Sequence, residues 1–90
     1  MEKVLKTTDY DQFQFYDFNR PLNENHVMRL KDSIETNNKL FANPILVDQD
    51  SFVIDGQHRL TAAKMLKTPI YYRKVSGVDQ EDISTFNNIM

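Results

Sequence analysis

The sequence predicts an α/β (α+β) domain: a small mixed sheet with about three helices. Three features carry that expectation. Short β-rich runs are joined by a polar turn in the middle of the chain. Two helical apolar faces flank them, over Val27, Leu30 and Ile34 and over Leu60, Ala63, Met65 and Leu66. Pro and Gly fall at the joins, where helices and strands stop.

Residues 1–12 mix charges with Thr and Asp and read as a loose lead-in. Phe13 and Phe15 alternate with Gln12 and Gln14, the period of a half-buried strand; Tyr16 and Phe18 continue the aromatic stretch. After the break Asn19-Arg20-Pro21, Asn23 is placed to cap a helix. Its end is expected at Asn37-Asn38, because Asn tolerates the left-handed conformation of many helix ends. Leu40 and Phe41 form an apolar connection. Pro44 opens a strand through Ile45, Leu46 and Val47, and Asp48-Gln49-Asp50-Ser51 turns it into a second over Phe52, Val53 and Ile54. Asp55-Gly56 stops that strand and a helix follows to Pro69. Residues 70–75 read as a further strand. Asp79 caps a last helix with Glu81 and Asp82 in its first turn, and Ile83, Phe86 and Ile89 or Met90 on its buried face. That helix runs to residue 90 without a stop signal, so the expectation is a domain cut from a longer protein.

Bulk properties exclude several classes. Hydrophobic residues at 40% and charged residues at 27% suit one soluble globular domain rather than a disordered chain. The lack of Cys removes disulfides, thiolate metal sites and thiol chemistry. No apolar run is long enough for a membrane helix, and the N-terminus carries no signal peptide. A cytoplasmic location and no membrane partner are expected. The net charge of -2 does not describe a nucleic-acid coat. The charge is nevertheless uneven. From Gly56 to Val78 there is no Asp or Glu, while Arg59, Lys64, Lys67, Arg73 and Lys74 all fall there. That segment is either a focused anion site or a solvated basic face.

The motif with chemistry in it is Asp55-Gly56-Gln57-His58-Arg59-Leu60-Thr61-Ala62-Ala63, at a strand-to-helix turn. A helix start presents unpaired N–H groups and a partial positive charge, which together bind anions. Gly56 permits a tight turn and close approach of a phosphate, and Asp55 is placed to cap the helix. First-turn positions favour acids, so Arg59 beside His58 is against the rule unless an anion sits among them. A phosphate would bring the amides, the dipole and the planar fork of Arg59 onto one ligand. The rival reading is a surface Arg and a His packed on the neighbouring strand. Other residues carry less. His26 has no second ligand near it in sequence and reads as a helix-end His. Asp9, Asp11 and Asp17 lack the glycine and terminal acid of a calcium loop and read as solvated. No metal site is expected.

The strand, the Asp-Gly-Gln-His-Arg turn and the helix resemble the ParB/sulfiredoxin superfamily, its ParB-like branch in particular. Gly56, Arg59, Ala62 and Ala63 match its Gly-x-x-Arg turn with two following small residues. The Arg-Pro break, the strand Pro44-Ile45-Leu46-Val47, the strand after Pro69 and the acid-capped last helix fit as well. The resemblance covers residues 13–90, a ParB N-terminal-like domain. It implies a nucleotide, a nucleoside triphosphate with Mg²⁺, whose phosphates are held by Gly56, Gln57, His58 and Arg59 with Asp55 and Thr61 alongside, and by Arg20 and Asn88. Asn87 stands where ParB-like proteins carry an acid, and an amide holds Mg²⁺ less well than a carboxylate. Where the family carries two further Arg, this chain has His58 and Thr61, which lowers the positive charge around the phosphates. Sulfiredoxins place a Cys where Gln57 stands, so their chemistry is excluded.

The leading expectation is therefore a nucleotide- or phosphate-binding domain of a DNA-associated protein of partition, plasmid or phage type. DNA would be read by regions beyond residue 90, and a homodimer is admitted. A phosphoryl-transfer enzyme is the second reading: a nucleotide hydrolase, a serine kinase whose turn resembles this one, or a ParB-like nuclease. Its catalytic candidates are His58 and, as a base, Glu24. A non-catalytic interaction domain is the third.

Overall fold

A computed structural model of the chain describes residues 3–16 and 21–76. Its strands are β1 (Val4–Thr7), β2 (Gln14–Phe15), β3 (Ile45–Val47), β4 (Phe52–Asp55) and β5 (Ile70–Lys74), and its α-helices are α1 (Glu24–Thr36) and α2 (Gln57–Leu66). Two short 3-10 turns, Tyr10–Gln12 and Leu40–Ala42, complete the described elements. The strands form one five-stranded mixed sheet in the order β1-β5-β3-β4-β2. β3 is antiparallel to β4 and parallel to β5, β2 is parallel to β4, and β1 is antiparallel to β5.

The core lies between this sheet and the helices. Ile45, Val47 and Ile70 are fully buried, and they meet Leu60, Ala62 and Ala63 of α2 and Val27 and Ile34 of α1. Each such aliphatic side chain contributes about 1.5–3 kcal/mol relative to exposure. Ala62 and Ala63 are small enough to let α2 lie close over β3 and β5, which fixes where its first turn falls.

The hairpin forms as the sequence predicts. The Asp48 carboxylate accepts from the amides of Asp50 and Phe52, each at 2.9 Å, and so shapes the turn. Its other oxygen accepts from the Tyr16 hydroxyl, whose ring lies against Phe52 with centroids 4.6 Å apart. Burial, and then the bond to Asp48, push the Tyr16 phenol up to about 12. The pairing of β3 with β4 slips between Leu46 and Val47, a bulge just ahead of the strand-to-helix turn.

Asn23 caps α1 as expected: its Oδ1 accepts from the His26 amide at 3.0 Å. Asn23→Ala is expected to cost about 1 kcal/mol, read as a lower midpoint in urea unfolding.

Four expectations are corrected. Within the expected lead-in of residues 1–12, Val4–Thr7 are not loose but pair with Ile70–Arg73 as an edge strand. That strand is held by its backbone ladder while Val4 and Leu5 stay exposed, so it leaves no burial period to read. Phe13 and Phe15 do not share a buried strand face: Phe13 is 5% exposed and Phe15 is 46% exposed. The 3-10 turn brings Phe13 edge-on to the Tyr72 ring, at 5.1 Å between centroids, before β2 begins. Asn37 ends α1 in extended rather than left-handed backbone (φ -155°). The left-handed helix end belongs to α2, at Lys67 (φ 56°), whose amide reaches back to the Ala63 and Lys64 carbonyls. The fourth correction concerns Asp55 and belongs to the site. The expected last helix from Asp79 lies outside the described residues.

Candidate phosphate site at the start of the second helix

β4 ends at Asp55, and Gly56 turns the chain into α2 with φ +102°, in left-handed backbone. A Cβ on Gly56 would lie 2.5 Å from Ile45 Cγ2 and 2.9 Å from Arg59 Nη2. Both the backbone and the space thus demand glycine here. Gly56 is itself the N-cap and brings no side chain to cap the helix. Asp55 is therefore not the cap, contrary to expectation, because the helix starts one residue later than a capping Asp55 would need. Its carboxylate instead faces the Arg59 guanidinium at 3.9 Å. The helix's own ladder opens with the Leu60 amide donating to the Gly56 carbonyl at 3.0 Å. The amides of His58 and Arg59 lie ahead of that ladder, at the positive end of the dipole.

Arg59 folds back over this turn. Its Nη2 lies beside Gly56 and donates to the Pro44 carbonyl at 3.3 Å. Its Nε is buried and has no hydrogen-bond partner among the described residues. The side chain is 23% exposed, so the guanidinium is anchored on Pro44 by a side chain that still reaches solvent in part. Against the rival of a loose surface Arg, the cation is held where the sequence places it, next to the glycine.

His58 does not pack on the neighbouring strand. Its Nε2 accepts from the Asn23 amide at 3.0 Å, and its ring stacks on His26, with centroids 4.6 Å apart and planes 21° apart. Burial, and then the nearby His26, lower its affinity for a proton below the ordinary value. Nothing in the residue order marks this pairing: the two rings are 32 positions apart, and only the packing of α1 on α2 joins them. Gln57 begins α2, and Thr61 donates its hydroxyl to the Gln57 carbonyl at 2.9 Å. Glu24 is the exposed first residue of α1, next to the Asn23 cap. Arg20, Asn87 and Asn88 lie outside the described residues. Among the described residues no three His, Cys, Asp or Glu gather as a metal site, and no helix is long and apolar enough to cross a membrane.

Arg59 also borders a cleft of about 300 Å³, lined by Leu30, Ser33, Ile34 and Asn37 of α1 and by Lys39, Leu40 and Asn43. Among the described residues the lining includes two cations, Lys39 and Arg59, and no acid. Sequence reasoning missed these residues. The available signal was Ser33 and Asn37, polar positions four apart beside the apolar face of α1.

No family model matches the chain, and no curated protein matches it. Solved structures do. The ParB N-domain of a pNOB8-like protein superposes with a TM-score of 0.67 at 24% identity, covering 100% of this chain and 38% of that one. A second pNOB8-like ParB N-domain structure gives 0.65 at 24%, covering 99% and 35%. The C-terminally truncated chromosome-partitioning protein ParB from Caulobacter crescentus, complexed with CTP-gamma-S, gives 0.68 at 20%, covering 97% and 51%. The chain thus spans about a third to a half of the structures it matches. The chain has the fold of these ParB N-domains.

Proposed function

We propose that this domain binds a nucleotide, with the phosphates at the Gly56–Arg59 turn and the nucleoside in the adjoining cleft. One observation carries the reading: the Arg59 guanidinium is held directly over the Gly56 N-cap, where it opposes the helix dipole unless an anion joins them. Arg59 also lines the cleft, so one side chain touches both halves of such a ligand. The Caulobacter ParB that shares the fold was captured with a CTP analogue, which makes CTP the first nucleotide to test. Arg20 and Asn88 would complete the phosphate shell, with Mg²⁺ on the phosphates. Partition-type work on DNA, through regions beyond residue 90, and self-association as a homodimer belong to the same reading.

The geometry favours binding over turnover. The Nε2 lone pair of His58 is already engaged by the Asn23 amide, so His58 lacks the acceptor a general base needs there. Glu24 lies at the exposed start of α1, and nothing positions it on an acceptor hydroxyl.

Calorimetric titration with CTP and other nucleoside di- and triphosphates, with and without Mg²⁺, tests the proposal. Triphosphates should bind more tightly than the bare nucleoside. At a hundredfold excess over Kd, binding should add about 2.7 kcal/mol of stability. For a domain of this size that raises Tm by roughly 10–20 °C. No heat and no Tm shift with any of these ligands at millimolar concentration overturns the proposal. Release of inorganic phosphate from bound triphosphate would reinstate the enzymatic reading.

A further inference from the structure

Asn23 does two things at once. Its side chain caps α1 through the His26 amide, and its own backbone amide donates to His58 Nε2 on α2. His26, three residues on, lays its ring against the His58 ring. The first turns of the two helices are thereby tied by one hydrogen bond and one ring stack, both ending on the same imidazole.

We infer that His26 and His58 form a proton-operated clasp between the starts of α1 and α2, closed while His58 is neutral and released when it takes a proton. The Asn23 bond fixes the neutral tautomer, with hydrogen on Nδ1 and the lone pair on Nε2. An imidazolium donates from both nitrogens, so a proton on Nε2 would point at the Asn23 N–H and the bond would be lost. A charge on the His58 ring also changes what the stacked His26 ring faces. The groups around His58 do not hold the proton in place. Across the gap α1 presents His26, a second base rather than a carboxylate, and the nearby acid of that turn, Glu24, is exposed. On its own turn, Asp55 is paired with Arg59.

The sign follows. His58 has a lower proton affinity folded than its ordinary value of 6.5. Below that pH the unfolded chain binds more protons, so stability is full above pH 6.5 and falls as the pH drops through the folded value. For the ligand, the inference rests on the phosphate reading above. A released and charged His58 adjoins the Gly56–Arg59 turn and adds a cation to it, so an anion there should bind more tightly in acid.

Two measurements separate the clasp from the site. Nuclear magnetic resonance of the unliganded domain should show neutral His58 with its hydrogen on Nδ1. The Asn23 amide should shift with the same midpoint as the His58 ring, and His26→Ala should raise that midpoint. An Asn23 amide that stays still through the titration, or a neutral ring with its hydrogen on Nε2, overturns the clasp. Sulfate serves as the anion, because its charge does not change between pH 5.5 and 8. Its affinity should rise at least about fivefold from pH 8 to pH 5.5, and His58→Gln should abolish that gain while keeping an acceptor for Asn23. Equal sulfate affinity at both pH values overturns the coupling. No sulfate binding at either pH counts against the phosphate reading, while the Asn23 amide still decides the clasp.

Discussion

Gly56→Val is expected to destabilise the domain by about 2–6 kcal/mol and to abolish ligand binding. Two costs act together. The residue must hold φ +102°, a conformation that costs a non-glycine residue about 1–3 kcal/mol and a β-branched one the most. The new Cβ would also fall 2.5 Å from Ile45 Cγ2, and Ile45 is fully buried in β3. It cannot retreat without disturbing Val47 and Ile70 beside it, and overpacking of this kind costs about 1–3 kcal/mol more. The third contact, Arg59 Nη2 at 2.9 Å, belongs to a longer side chain that can move, but moving it takes the guanidinium off the turn proposed to hold the phosphates. Gly56→Ala separates these effects. It keeps most of the backbone strain and the Ile45 contact but lacks the γ-branches, so it should melt between the parent and the valine variant. Thermal denaturation of the three proteins checks the order. A valine variant that melts with the parent would mean that the turn is not left-handed.

Much of this turn was legible in the sequence because each of its parts is local. A strand ending in Asp-Gly, a helix period starting at once, and a cation where acids are preferred all lie within five residues. The hairpin was legible for the same reason: Asp48 to Ser51 carry their own turn chemistry, and the Asp48 side chain bonds amides two and four residues ahead. Edge strand β1 was not, because nothing in Val4–Thr7 alternates. Its pairing depends on Ile70–Arg73, more than sixty positions away. Asp55 misled by type, since Asp before a helix reads as a cap, and only the one-residue later start, forced by the left-handed glycine, redirects it to Arg59. The His26–His58 stack and the cleft between α1 and Arg59 are tertiary in origin. Each brings α1 and α2 together, and no periodicity in either helix specifies how they face one another. Local chemistry therefore marked the half of the candidate site proposed to bind an anion, while the half that would hold a nucleoside appears only once α1 is packed.

Arg59→Ala is expected to weaken nucleotide binding by at least tenfold to a hundredfold while leaving the fold in place. Hydrogen bonds to a charged partner contribute about 1.5–3 kcal/mol each, and Arg59 is the described cation closest to the N-cap glycine through its Nη2. The cost to the fold is small by comparison. The side chain makes one hydrogen bond of 3.3 Å to the Pro44 carbonyl and one loose pair with Asp55. Removing a cation from the first turn also relieves its conflict with the dipole, a gain of roughly 0.3–1 kcal/mol that offsets part of the loss. The variant should therefore melt within a few degrees of the parent. Arg59→Lys tests geometry against charge: it keeps the positive charge without the planar fork, so its affinity should fall between the other two. Lys64→Ala is the charge-matched control, since Lys64 lies in the last turn of α2 on the exposed Asp11 and far from the N-cap. If affinity drops equally in Arg59→Ala and Lys64→Ala, the ligand responds to net charge alone, and no site exists at the turn. If it drops only in the first, the guanidinium over Gly56 is the contact that holds the phosphates.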